Sequence, residues 1–567
     1  MTIAISDDRY YHPASEAEIV ELVVHARRNG LSLRVRGAAH SVAHAIYSDP
    51  QHELDNSVCQ QAPPAGANLN LMLDRYRGWE VSDEQRKWIV CDAGIHLGAD
   101  PDDPTGTATD PHDGLLWQLW DRKRWMLSAT GGISHQTISG FTATGSSGGS
   151  LTYSASDNLV AFRVIDGTGT VHDISRDDDP ERFGALCPNL GLLGVVSKIT
   201  LQCDDTFDIA GRETIAARED CAIDLFGDGD AQRPSLARFL TEREYARVEW
   251  WPQRGAERFV VWEAQRAPAG DGPTHPYRQF TDHPELAEFA ISLMYTLLGN
   301  LPHLDRCKPR LDALFASVRD EWRDDARRSL GEFGALLANV LEAIARGATK
   351  LGFAAASLFA ETLWKDIDRY FPKLLGTFVP FSDGKPQRFT DRAWHGLPMD
   401  NEASDVLLPT SFTELWFPLA RTKDVMKLFG DWFADVADER ASYDRTGVNA
   451  WELYAAKPNH FWLSPSYTTG DDEWRDGAFR VDVYWFVAND HSPAHEFFPQ
   501  VWQLARDAGI PFRLHWGKYQ PAMADDPSWR DILRDQYPRW DDFLALRQQL
   551  DPDGVFLSAY WRAHFGL

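Results

Sequence analysis

The sequence predicts an α+β fold in two parts, in which an antiparallel sheet is inserted into a first unit that mixes helices and strands. The chain opens with a helix, a short strand and a turn of small residues, at about residues 15–41. Beyond residue 207, alternating apolar and polar residues recur, a pattern typical of half-buried strands, in the runs 245–252, 258–263, 413–418, 450–454 and 480–487. A mostly helical stretch interrupts them at about residues 283–371. Strands and helices that segregate in this way favour the α+β class.

The predicted boundaries place the inserted part in the middle of the chain. The turn Asp551-Pro-Asp-Gly554 and the apolar Phe556 predict that the last segment returns to the first unit. A length of 567 residues also exceeds what one ordinary hydrophobic core organises. The sequence therefore predicts a first domain over residues 1–206, an inserted domain over 207–530 that contains the helical stretch 283–371, and a returning segment over 531–567.

The opening helix is predicted from the residues at its two ends. Ser15 stands before an amphipathic run with Glu18 three residues later, and Gly30 follows the run. This spacing is typical of a capping box, and a glycine after the last turn is typical of a helix that ends there. A short alternating run over 31–36 then predicts the first strand.

The turn after this strand, Arg36-Gly-Ala-Ala-His-Ser41, is built from small residues. The main-chain N–H groups of Gly37, Ala38 and Ala39 can approach an anionic pyrophosphate because little or no side chain covers them, and Arg36 adds positive charge. Alanine tolerates a positive φ poorly, so the turn is expected to differ slightly in geometry from one made of glycines.

A second tract, over residues 127–150, is rich in glycine and hydroxyl groups and has few charges. It is too polar for a core and too rich in glycine for a helix, but its N–H and hydroxyl donors suit a backbone that wraps a polyphosphate. Two predicted strands joined by an Asp-Gly turn follow over 159–171, and glycines precede a β-branched strand over 191–201. In this order the elements predict a nucleotide-binding unit.

Together these segments resemble the FAD-binding domain of the vanillyl-alcohol oxidase family, which has the PCMH-type fold. In that family a turn after the first strand presents a histidine to which the flavin is bonded, and the matching residue here is His40. Gln136-Thr-Ile-Ser-Gly140 resembles the family's Gln-Thr-Ile-Ala-Gly motif, and Gly145-Ser-Ser-Gly148 resembles its Gly-Thr-His-Gly turn. The family's histidine in that turn is Ser147 here, so its role is not carried over.

The resemblance implies FAD that is covalently attached through His40. It implies that the cofactor is also contacted by Arg36, Gly37, Ala38, Ala39, Ser41, Gln136, Thr137, Ile138, Gly140, Thr144, Gly145, Ser146, Gly148, Gly149, Gly194, Val195 and Val196.

The second part resembles the cap domain of the aldonolactone and alditol oxidases, an antiparallel sheet that covers the flavin. The resemblance rests on Trp451-Glu-Leu-Tyr454, Leu463-Ser-Pro-Ser-Tyr467, His515-Trp-Gly-Lys518 and the tail 550–560. A weaker likeness to covalent cholesterol oxidase comes from the alanines before His40 and from the strand-like run 245–252. The helical stretch exceeds what the aldonolactone oxidases carry, which favours either a bulky or apolar substrate or an oligomer interface.

Four residues of the cap motifs are predicted to act in catalysis: Glu452, Tyr454, His515 and Lys518. Glu452 matches the glutamate of the family's Glu-X-Arg pair, which handles the substrate hydroxyl, whereas Tyr454 stands at the arginine position. A phenol forms hydrogen bonds but supplies no positive charge. Either the substrate differs from a polyol, or Lys518 or Arg513 supplies the cation.

In the alditol oxidases the lysine of the motif that 515–518 resembles lies at the active site, and the resemblance implies a place beside the flavin for Lys518. The positive charge of Lys518 would there stabilise the negative charge that develops when hydride arrives. If the segment is a strand, His515 and Lys518 face opposite sides, because side chains alternate along a strand.

Two further glutamates, Glu249 and Glu414, lie in strand-like segments that end in an aromatic residue and a proline. They are secondary candidates for catalysis. The expectation is that each is an edge carboxylate that faces water.

Composition disfavours several other classes of function. A formal net charge of −27 argues against nucleic acid and against anionic membrane surfaces as partners. The longest apolar stretch, 333–364, is interrupted by charged residues and predicts an amphipathic or buried helix rather than a membrane span. The six cysteines show no CxxC spacing, so neither a structural metal nor a disulfide framework is predicted, and the first residues show no secretory signal. A cytoplasmic protein without a metal is predicted, and its oligomeric state stays open.

The predicted function is that of an FAD-dependent oxidase of a CH–OH group. Hydride passes to flavin N5, a base takes the hydroxyl proton, and O2 reoxidises the flavin with release of hydrogen peroxide. The predicted substrate is an alditol, an aldonolactone or a bulkier secondary alcohol. Two alternatives stay open: a sterol oxidase of the cholesterol oxidase type, and a flavoprotein that does not use O2, either a dehydrogenase or a protein without turnover. The tyrosine at position 454 favours the second alternative, a flavoprotein that does not use O2.

Overall fold

The structure is a computed structural model of the chain. It describes residues 3–49, 63, 65–255, 257–270, 275–279, 284–300, 305–329, 331–345, 349–378, 386–401, 409–447, 449–487 and 492–567. Cys59 and residues 281–283, where the helical stretch was predicted to begin, lie outside the described residues.

The N-terminal region combines short helices with small sheets. Its elements are α1 (Glu16–Asn29), β1 (Leu33–Arg36), α2 (Ala43–Ile46), β2 (Leu69–Met72), β3 (Trp79–Asp83), β4 (Trp88–Asp92), α3 (Leu115–Lys123), β5 (Trp125–Met126), α4 (Ile138–Thr144), β6 (Leu159–Ile165), β7 (Val171–Ser175), α5 (Pro180–Gly184), β8 (Val195–Gln202) and β9 (Asp204–Asp205).

These strands form three sheets in the described part of the chain. Strands β3, β4, β8, β6 and β7 lie in this order in one antiparallel sheet, β1 pairs with β2 in parallel, and β5 pairs with β9. The predicted hairpin around the Asp-Gly turn is confirmed as β6 and β7. The predicted strand after the glycines at 191–194 is confirmed as β8.

Helix α1 begins and ends where its capping residues predict. The hydroxyl of Ser15 accepts a hydrogen bond from the N–H of Glu18, and Gly30 adopts a φ of 62°. The Glu18 carboxylate accepts from the N–H of Ala14 instead of that of Ser15, so only half of the predicted capping box forms. The apolar face of the helix packs on the core that contains Leu33, which fixes the strand before the small-residue turn.

The second region contains a large antiparallel sheet and a group of helices. Its elements are β10 (Phe207–Ala216), α6 (Leu236–Glu242), β11 (Tyr245–Trp251), β12 (Arg258–Pro268), α7 (Pro284–Gly299), α8 (Lys308–Ala316), α9 (Trp322–Ser329), α10 (Gly331–Ala345), α11 (Thr349–Lys365), α12 (Ile367–Phe378), β13 (Gln387–Arg392), α13 (Ala393–Gly396), β14 (Thr410–Pro418), α14 (Thr422–Ala434), α15 (Glu439–Thr446), β15 (Trp451–Ala456), β16 (Ala478–Phe486), α16 (Phe498–Asp507), β17 (Arg513–Leu514), α17 (Ser528–Gln536), α18 (Trp540–Leu550) and α19 (Ala559–Phe565).

The large sheet has the order β13-β10-β12-β11-β15-β16-β14-β17 among the described strands, and each neighbouring pair is antiparallel. Strand β15, which carries two of the predicted catalytic residues, therefore lies between β11 and β16 in the interior of the sheet. The predicted antiparallel sheet with flanking helices is confirmed, and so is the predicted α+β class.

The helices between residues 284 and 378 form a core of their own against one face of this sheet. Apolar side chains of α7, α8 and α10 to α12 pack there with Ile215, Trp251, Val260 and Phe486 of the sheet. The apolar stretch 333–364, predicted as one helix, is covered by two described helices, α10 and α11. None of the helices in the described ranges is both long enough and apolar enough to cross a bilayer.

The last segment returns to the N-terminal region. The N–H of Leu33 donates to the carbonyl of Val555 over 2.8 Å, and Phe556 packs in the same core as α1. The Asp551 carboxylate accepts the N–H groups of Val555 and Phe556 and holds this turn. The contact agrees with the expected return of the tail, while the domain boundaries themselves stay a prediction.

Candidate active site

Two cavities meet at the turn that carries His40. Cavity I, of about 130 Å³, lies between β1, the turn, α4, the start of β8 and residues 515–518. Cavity II, of about 270 Å³, lies between the glycine-rich tract and the large sheet. Among the described residues, those that line both cavities are His40, Gln136, Ser146, His515 and Lys518. A group bound in cavity I would therefore face cavity II at His40.

The turn places His40 through one strained residue. Ala39 adopts a φ of 62°, so the alanine that was expected to resist a positive φ adopts one. The carbonyl oxygen of His40 accepts a hydrogen bond of 2.6 Å from the Nζ of Lys518. The His40 ring lies against that of His135, with 5.3 Å between their centroids.

Most of the predicted cofactor residues line cavity I. They are Gly37, Ala38, Ala39, His40, Ser41, Gln136, Gly140, Thr144, Ser146, Gly194, Val195 and Val196. Their side chains are small, aliphatic or hydrogen-bonding, which suits a long ligand with a polar chain and an aromatic ring.

The other predicted cofactor residues are outside the lining of cavity I, and Arg36 is the first of them. Its guanidinium lies 3.6 Å from Met72 Sδ and over the ring of Tyr10. Arg34 lines the cavity instead, and its guanidinium donates to the carbonyl oxygens of Leu190 and Phe556. Arg34, unlike Arg36, was not among the residues predicted to contact the cofactor.

Thr137 and Gly145 shape the helix beside cavity I rather than its wall. The hydroxyl of Thr137 accepts the N–H of Gly140 and caps α4, and Gly145 ends α4 with a φ of 71°. A Cβ atom on Gly37 would lie 2.6 Å from Thr137 Oγ1, so the glycine allows the turn and the helix to approach. Ile138 of the same motif is buried in the main core.

Gly148 allows two parts of the tract to approach each other, and Gly149 allows the tract to approach strand β11 of the large sheet. A Cβ atom on Gly148 would lie 2.2 Å from the carbonyl oxygen of Thr130, and one on Gly149 would lie 2.0 Å from that of Ala246. Neither glycine lines one of the two cavities among the described residues.

Cavity I has the donors and acceptors that a flavin dinucleotide needs. Hydroxyls of Ser41, Thr144 and Ser146 line it, together with the exposed backbone of the small-residue turn. The Oε1 atom of Gln136 is buried and accepts no hydrogen bond from the described residues, so it is available to an N–H of a bound ring. The residues present therefore fit the predicted cofactor.

The wall of cavity II is one face of the large sheet, and the register aligns four acidic residues across it. Glu249 lies opposite Glu452, Glu452 opposite Asp482, and Asp482 opposite Glu414. Because side chains alternate along a strand, this row faces the cavity from β11, β15, β16 and β14. We call these four residues the acidic row.

Glu249 and Glu414 were expected to be edge carboxylates that face water, and this expectation was wrong. Strands β11 and β14 each have a partner on both sides, so neither is an edge of the sheet. Glu414 is 4% exposed, and both glutamates line cavity II.

Two arginines neutralise part of the acidic row. Arg480 forms a fork with Asp482, with distances of 2.7 and 2.5 Å, and lies 3.6 Å from Glu414. Arg247 lies 3.0 Å from Glu249, 3.6 Å from Glu452 and 2.5 Å from Asp400. Oxygens of Glu249, Asp400 and Glu452 lie within 4.8 Å of one another, a spacing that a metal ion could use, but Arg247 already contacts all three.

Glu452 is held by two phenols and one guanidinium. Its Oε2 atom accepts hydrogen bonds from the hydroxyls of Tyr454, at 2.7 Å, and Tyr484, at 2.8 Å. Burial raises the pKa of Glu452, the charge of Asp400 raises it further, and Arg247 opposes both. Burial also raises the pKa of Glu249, again against the effect of Arg247. These carboxyl groups therefore exchange protons nearer to neutral pH than exposed glutamates do.

His515 and Lys518 lie on the same cavities, which corrects the expectation of opposite faces. Strand β17 ends at Leu514, and the N–H of Lys518 closes a turn on the carbonyl of His515. The N–H of Gly517 donates to His515 Nδ1, and burial lowers the pKa of His515 well below its usual range. His515 is thus neutral and carries its proton on Nε2. The Nζ of Lys518 lies 3.9 Å from the ring centre of Phe412.

Arg513, which was considered as the missing cation, does not take part. Its guanidinium donates to the carbonyl oxygens of Pro465, Tyr467 and Gln536, and it lines neither cavity among the described residues.

The helical stretch contributes an aromatic side to cavity II. Tyr295 of α7 lines the cavity, its hydroxyl lies 3.4 Å from Trp251 Nε1, and its ring lies 5.5 Å from that of Phe486. Helix α7 of the helical stretch therefore forms part of the wall of cavity II.

Sequence reasoning missed several residues of cavity II. Arg247 alternates with Glu249 in one predicted strand, and Arg480, Asp482 and Tyr484 alternate in another, so the shared face was visible. Asp400 lies between strands, where no periodicity points to it.

Part of the chain is similar in sequence to a known protein family. Residues 416–564 match the family model described as ALO, D-arabinono-1,4-lactone oxidase. This span contains strands β15 to β17 and the returning tail. Over these residues the chain is similar in sequence to the aldonolactone oxidases.

The individual relatives cover this chain to different extents. It is 23% identical over 566 residues to the L-gulono-1,4-lactone dehydrogenase of Mycobacterium tuberculosis, covering 98% of this chain and 95% of that one. It is 20% identical to the L-gulonolactone oxidase of Scyliorhinus torazame, covering 100% and 96%. The match to the D-arabinono-1,4-lactone oxidase of Saccharomyces cerevisiae is 24% identical and covers 47% of this chain and 43% of that protein.

The fold also resembles solved structures. The crystal structure of cholesterol oxidase from B. sterolicum superposes with a TM-score of 0.61 at 15% identity, covering 98% of this chain and 94% of the other. The predicted two-domain fold and the predicted resemblance are therefore confirmed. The relatives' names confirm the predicted enzyme class, an oxidoreductase that acts on a CH–OH group, and these relatives imply FAD as the cofactor. The attachment through His40 and the roles of the site residues stay predictions.

Proposed function

We propose that this protein oxidises a CH–OH group of a neutral polyhydroxylated compound, an alditol or an aldonolactone, with FAD bonded to His40. The observation that carries the proposal is the meeting of the two cavities at His40, one with the lining of a flavin site and one with an acidic row and hydrogen-bonding side chains. The names of the relatives, all oxidases or dehydrogenases of lactones, support this substrate class.

Cavity II favours a sugar-like substrate over a sterol. Carboxylates, guanidinium groups and phenols on the face of β11, β15 and β16 offer hydrogen bonds to several hydroxyls. A large apolar substrate would displace water from these groups and offer no hydrogen bonds in return, which costs about 1–3 kcal/mol for each donor or acceptor that is left unsatisfied.

Glu452 is the base in the proposed reaction. Its Oε2 atom is engaged by two phenols, and its Oε1 atom lies 3.6 Å from Arg247 on the cavity side. A carboxylate with a raised pKa accepts a proton more readily than an exposed one, which is what removal of a hydroxyl proton requires. His515, which is neutral and carries its proton on Nε2, donates a hydrogen bond to a substrate oxygen.

Lys518 supplies the positive charge next to His40. Its Nζ atom donates a hydrogen bond to the main-chain oxygen of His40, so the ammonium group lies at the junction of the cavities. When bound, FAD supplies a two-electron acceptor for hydride. An ammonium group at the junction stabilises the negative charge that follows.

The covalent attachment is tested by acid precipitation of the purified holoprotein. Flavin should remain with the pellet and be found by mass spectrometry on the peptide that contains His40. In His40→Ala, acid should release the flavin, whereas His25→Ala, which changes a residue of α1 that lines neither cavity, should retain it. Covalent flavin in His40→Ala would contradict the attachment.

The substrate class is tested by anaerobic reduction of the bound flavin with a panel of alditols, aldonolactones and sterols. Bleaching by the first two groups and none by sterols supports the proposal, and bleaching by sterols alone contradicts it. A protein whose flavin no alcohol bleaches would be a flavoprotein without turnover.

A dehydrogenase is the second candidate, because the mycobacterial relative that matches almost the whole chain carries that name. Admitting air to the reduced protein separates the two. An oxidase recovers its colour within seconds and releases hydrogen peroxide, whereas a dehydrogenase recovers slowly and needs another electron acceptor.

A further inference from the structure

We propose that Arg247 does the work of the arginine that this chain lacks at position 454, and that it does so from the neighbouring strand β11. The proposal rests on the proposed function, in which Glu452 is the base. Arg247 is a positioning residue in this sense: it acts on the substrate through the charge state and orientation of Glu452.

The first support is the geometry of Arg247. Its side chain is 2% exposed, and it lies two residues before Glu249 on the face that lines cavity II. Its Nη1 atom lies 3.6 Å from Glu452 Oε1 and 2.5 Å from Asp400 Oδ1, and its Nη2 atom lies 3.0 Å from Glu249. A planar guanidinium is suited to bridging several carboxylates at once.

The second support is the place of Tyr454 in the sheet. Tyr454 lies opposite Arg480 on β16, and its ring lies 4.2 Å from the Arg480 guanidinium. On the other side, β11 presents Arg247 to the same cavity. An arginine at 454 would stand between these two, and like charges on adjacent strands destabilise a sheet. A tyrosine stacks on one cation and donates its hydroxyl to Glu452.

The third support is that the other cations of cavity II, Arg480 and Lys518, form hydrogen bonds with groups other than Glu452. Arg480 is engaged in its fork with Asp482 and donates to the carbonyl of Ser147. Lys518 donates to the carbonyl of His40. Within the described residues, Arg247 is the guanidinium that the structure places beside Glu452.

The expected effect of Arg247 is a lower proton affinity at Glu452. The titratable and charged groups that line cavity II with Glu452, among the described residues, are His40, His135, Glu213, Arg247, Glu249, Tyr277, Tyr295, Asp400, Glu414, Tyr454, Arg480, Asp482, Tyr484, His515 and Lys518. A positive charge within about 4 Å lowers the pKa of a carboxyl by roughly 1–3 units. Without Arg247 the carboxyl should stay protonated to higher pH and fail as a base at neutral pH.

The test uses the holoprotein and reads Glu452 directly. Its carboxyl C=O stretch is assigned by infrared difference spectra as the band that Glu452→Gln removes, and its intensity is followed against pH. In Arg247→Gln the midpoint should rise by at least about one unit, and the acid limb of the flavin reduction rate should move with it. Arg247→Lys should shift the midpoint less, because lysine keeps the positive charge but lacks the planar guanidinium that contacts several carboxylates at once.

The rescue variant distinguishes a charge effect from loss of structure. Arg247→Gln combined with Tyr454→Arg returns a guanidinium to the family position and should bring the midpoint back toward that of the native protein. Arg212→Gln, which removes an arginine that pairs with Glu263 away from the cavities, is the matched control and should leave the midpoint unchanged.

An unchanged midpoint in Arg247→Gln overturns the proposal, and so does a shift that Arg247→Lys reproduces in full. If Arg247→Gln does not fold, Arg247→Lys and Asp400→Asn decide instead, because removal of the Asp400 charge should lower the midpoint. The band is measured without substrate, so failure of the proposed substrate class would leave this result standing.

Discussion

At the scale of single residues, the turn before His40 depends on two neighbouring positions with opposite requirements. Gly37 has no room for a side chain, because a Cβ atom would meet the Thr137 hydroxyl that caps α4. Ala39 has a side chain at a φ of 62°, where a glycine would be unstrained.

A matched pair of variants follows from this contrast. Gly37→Ala should displace Thr137, lower stability by about 1 kcal/mol through the lost cap, and reduce the amount of bound flavin. Ala39→Gly should keep the flavin and change stability by less than about 1 kcal/mol, because relief of strain and added chain entropy oppose each other. Flavin content and urea unfolding of both variants provide the measurement. Equal flavin loss in the two variants would contradict the close approach at Gly37.

A buried histidine in α19 gives the chain a specific acid sensitivity. His564 is 1% exposed, and neither ring nitrogen has a hydrogen-bond partner among the described residues. Burial, with the charges of Arg530 and His44, lowers the pKa of His564 to about 3. The unfolded chain binds this proton below about pH 6.5, so stability is lost as pH falls from about 6.5 toward 3.

His564→Phe should therefore gain stability relative to the native protein on acidification. Between pH 7 and pH 5 the difference in the free energy of unfolding should move by about 2 kcal/mol in favour of the variant. Urea unfolding at both pH values measures it, and His25→Phe on α1 serves as the control. A difference that does not depend on pH would mean that the His564 ring is hydrated.

At the scale of elements, the register of four strands brings like charges together. The acidic row needs Glu249, Glu452, Asp482 and Glu414 to be in register across strands that are far apart in the sequence. With Glu213 and Asp400, six carboxyl groups of the described residues line cavity II, against the three described cations Arg247, Arg480 and Lys518. The excess of acidic groups disfavours an anionic substrate.

A comparison of an aldonolactone with its hydrolysed aldonate tests this selectivity. The lactone and a neutral alditol of the same chain length should reduce the flavin, and the aldonate should have a kcat/KM at least about 100-fold lower, equal to about 2.7 kcal/mol of discrimination. Glu249→Gln should narrow the difference, while Glu263→Gln, outside the cavity, should not. Equal kcat/KM for lactone and aldonate would rule out selection by charge.

The sequence predicts individual helices and strands but not which strands far apart in the chain pair with one another. Local signals predicted α1, the hairpin β6–β7 and the turn at His40, because caps, Asp-Gly turns and small residues act over a few positions. Alternation predicted strands β11, β15 and β16. It did not predict that β11 lies beside β15, since that pairing joins residues more than 200 positions apart, and so Arg247 could not be placed next to Glu452. The sequence also does not show which strands flank β11 and β14, and for this reason Glu249 and Glu414 were expected to be edge residues.

At the scale of the whole molecule, the returning tail joins distant parts of the sequence. Phe556 and Trp561 line cavity I together with β1, and residues 515–518 close the junction with cavity II. The predicted cytoplasmic location and the oligomeric state are independent of these contacts and stay open to measurement.

The same contacts set an order of events in the life of the protein. A ribosome makes the chain from its N-terminus, so the turn that carries His40 is made hundreds of residues before the tail that completes the wall of cavity I. An emerging chain therefore has His40, the predicted attachment residue, before the cavity around it is complete. We expect flavin to bind only after synthesis of the tail, so that cofactor shortage would leave complete chains without flavin.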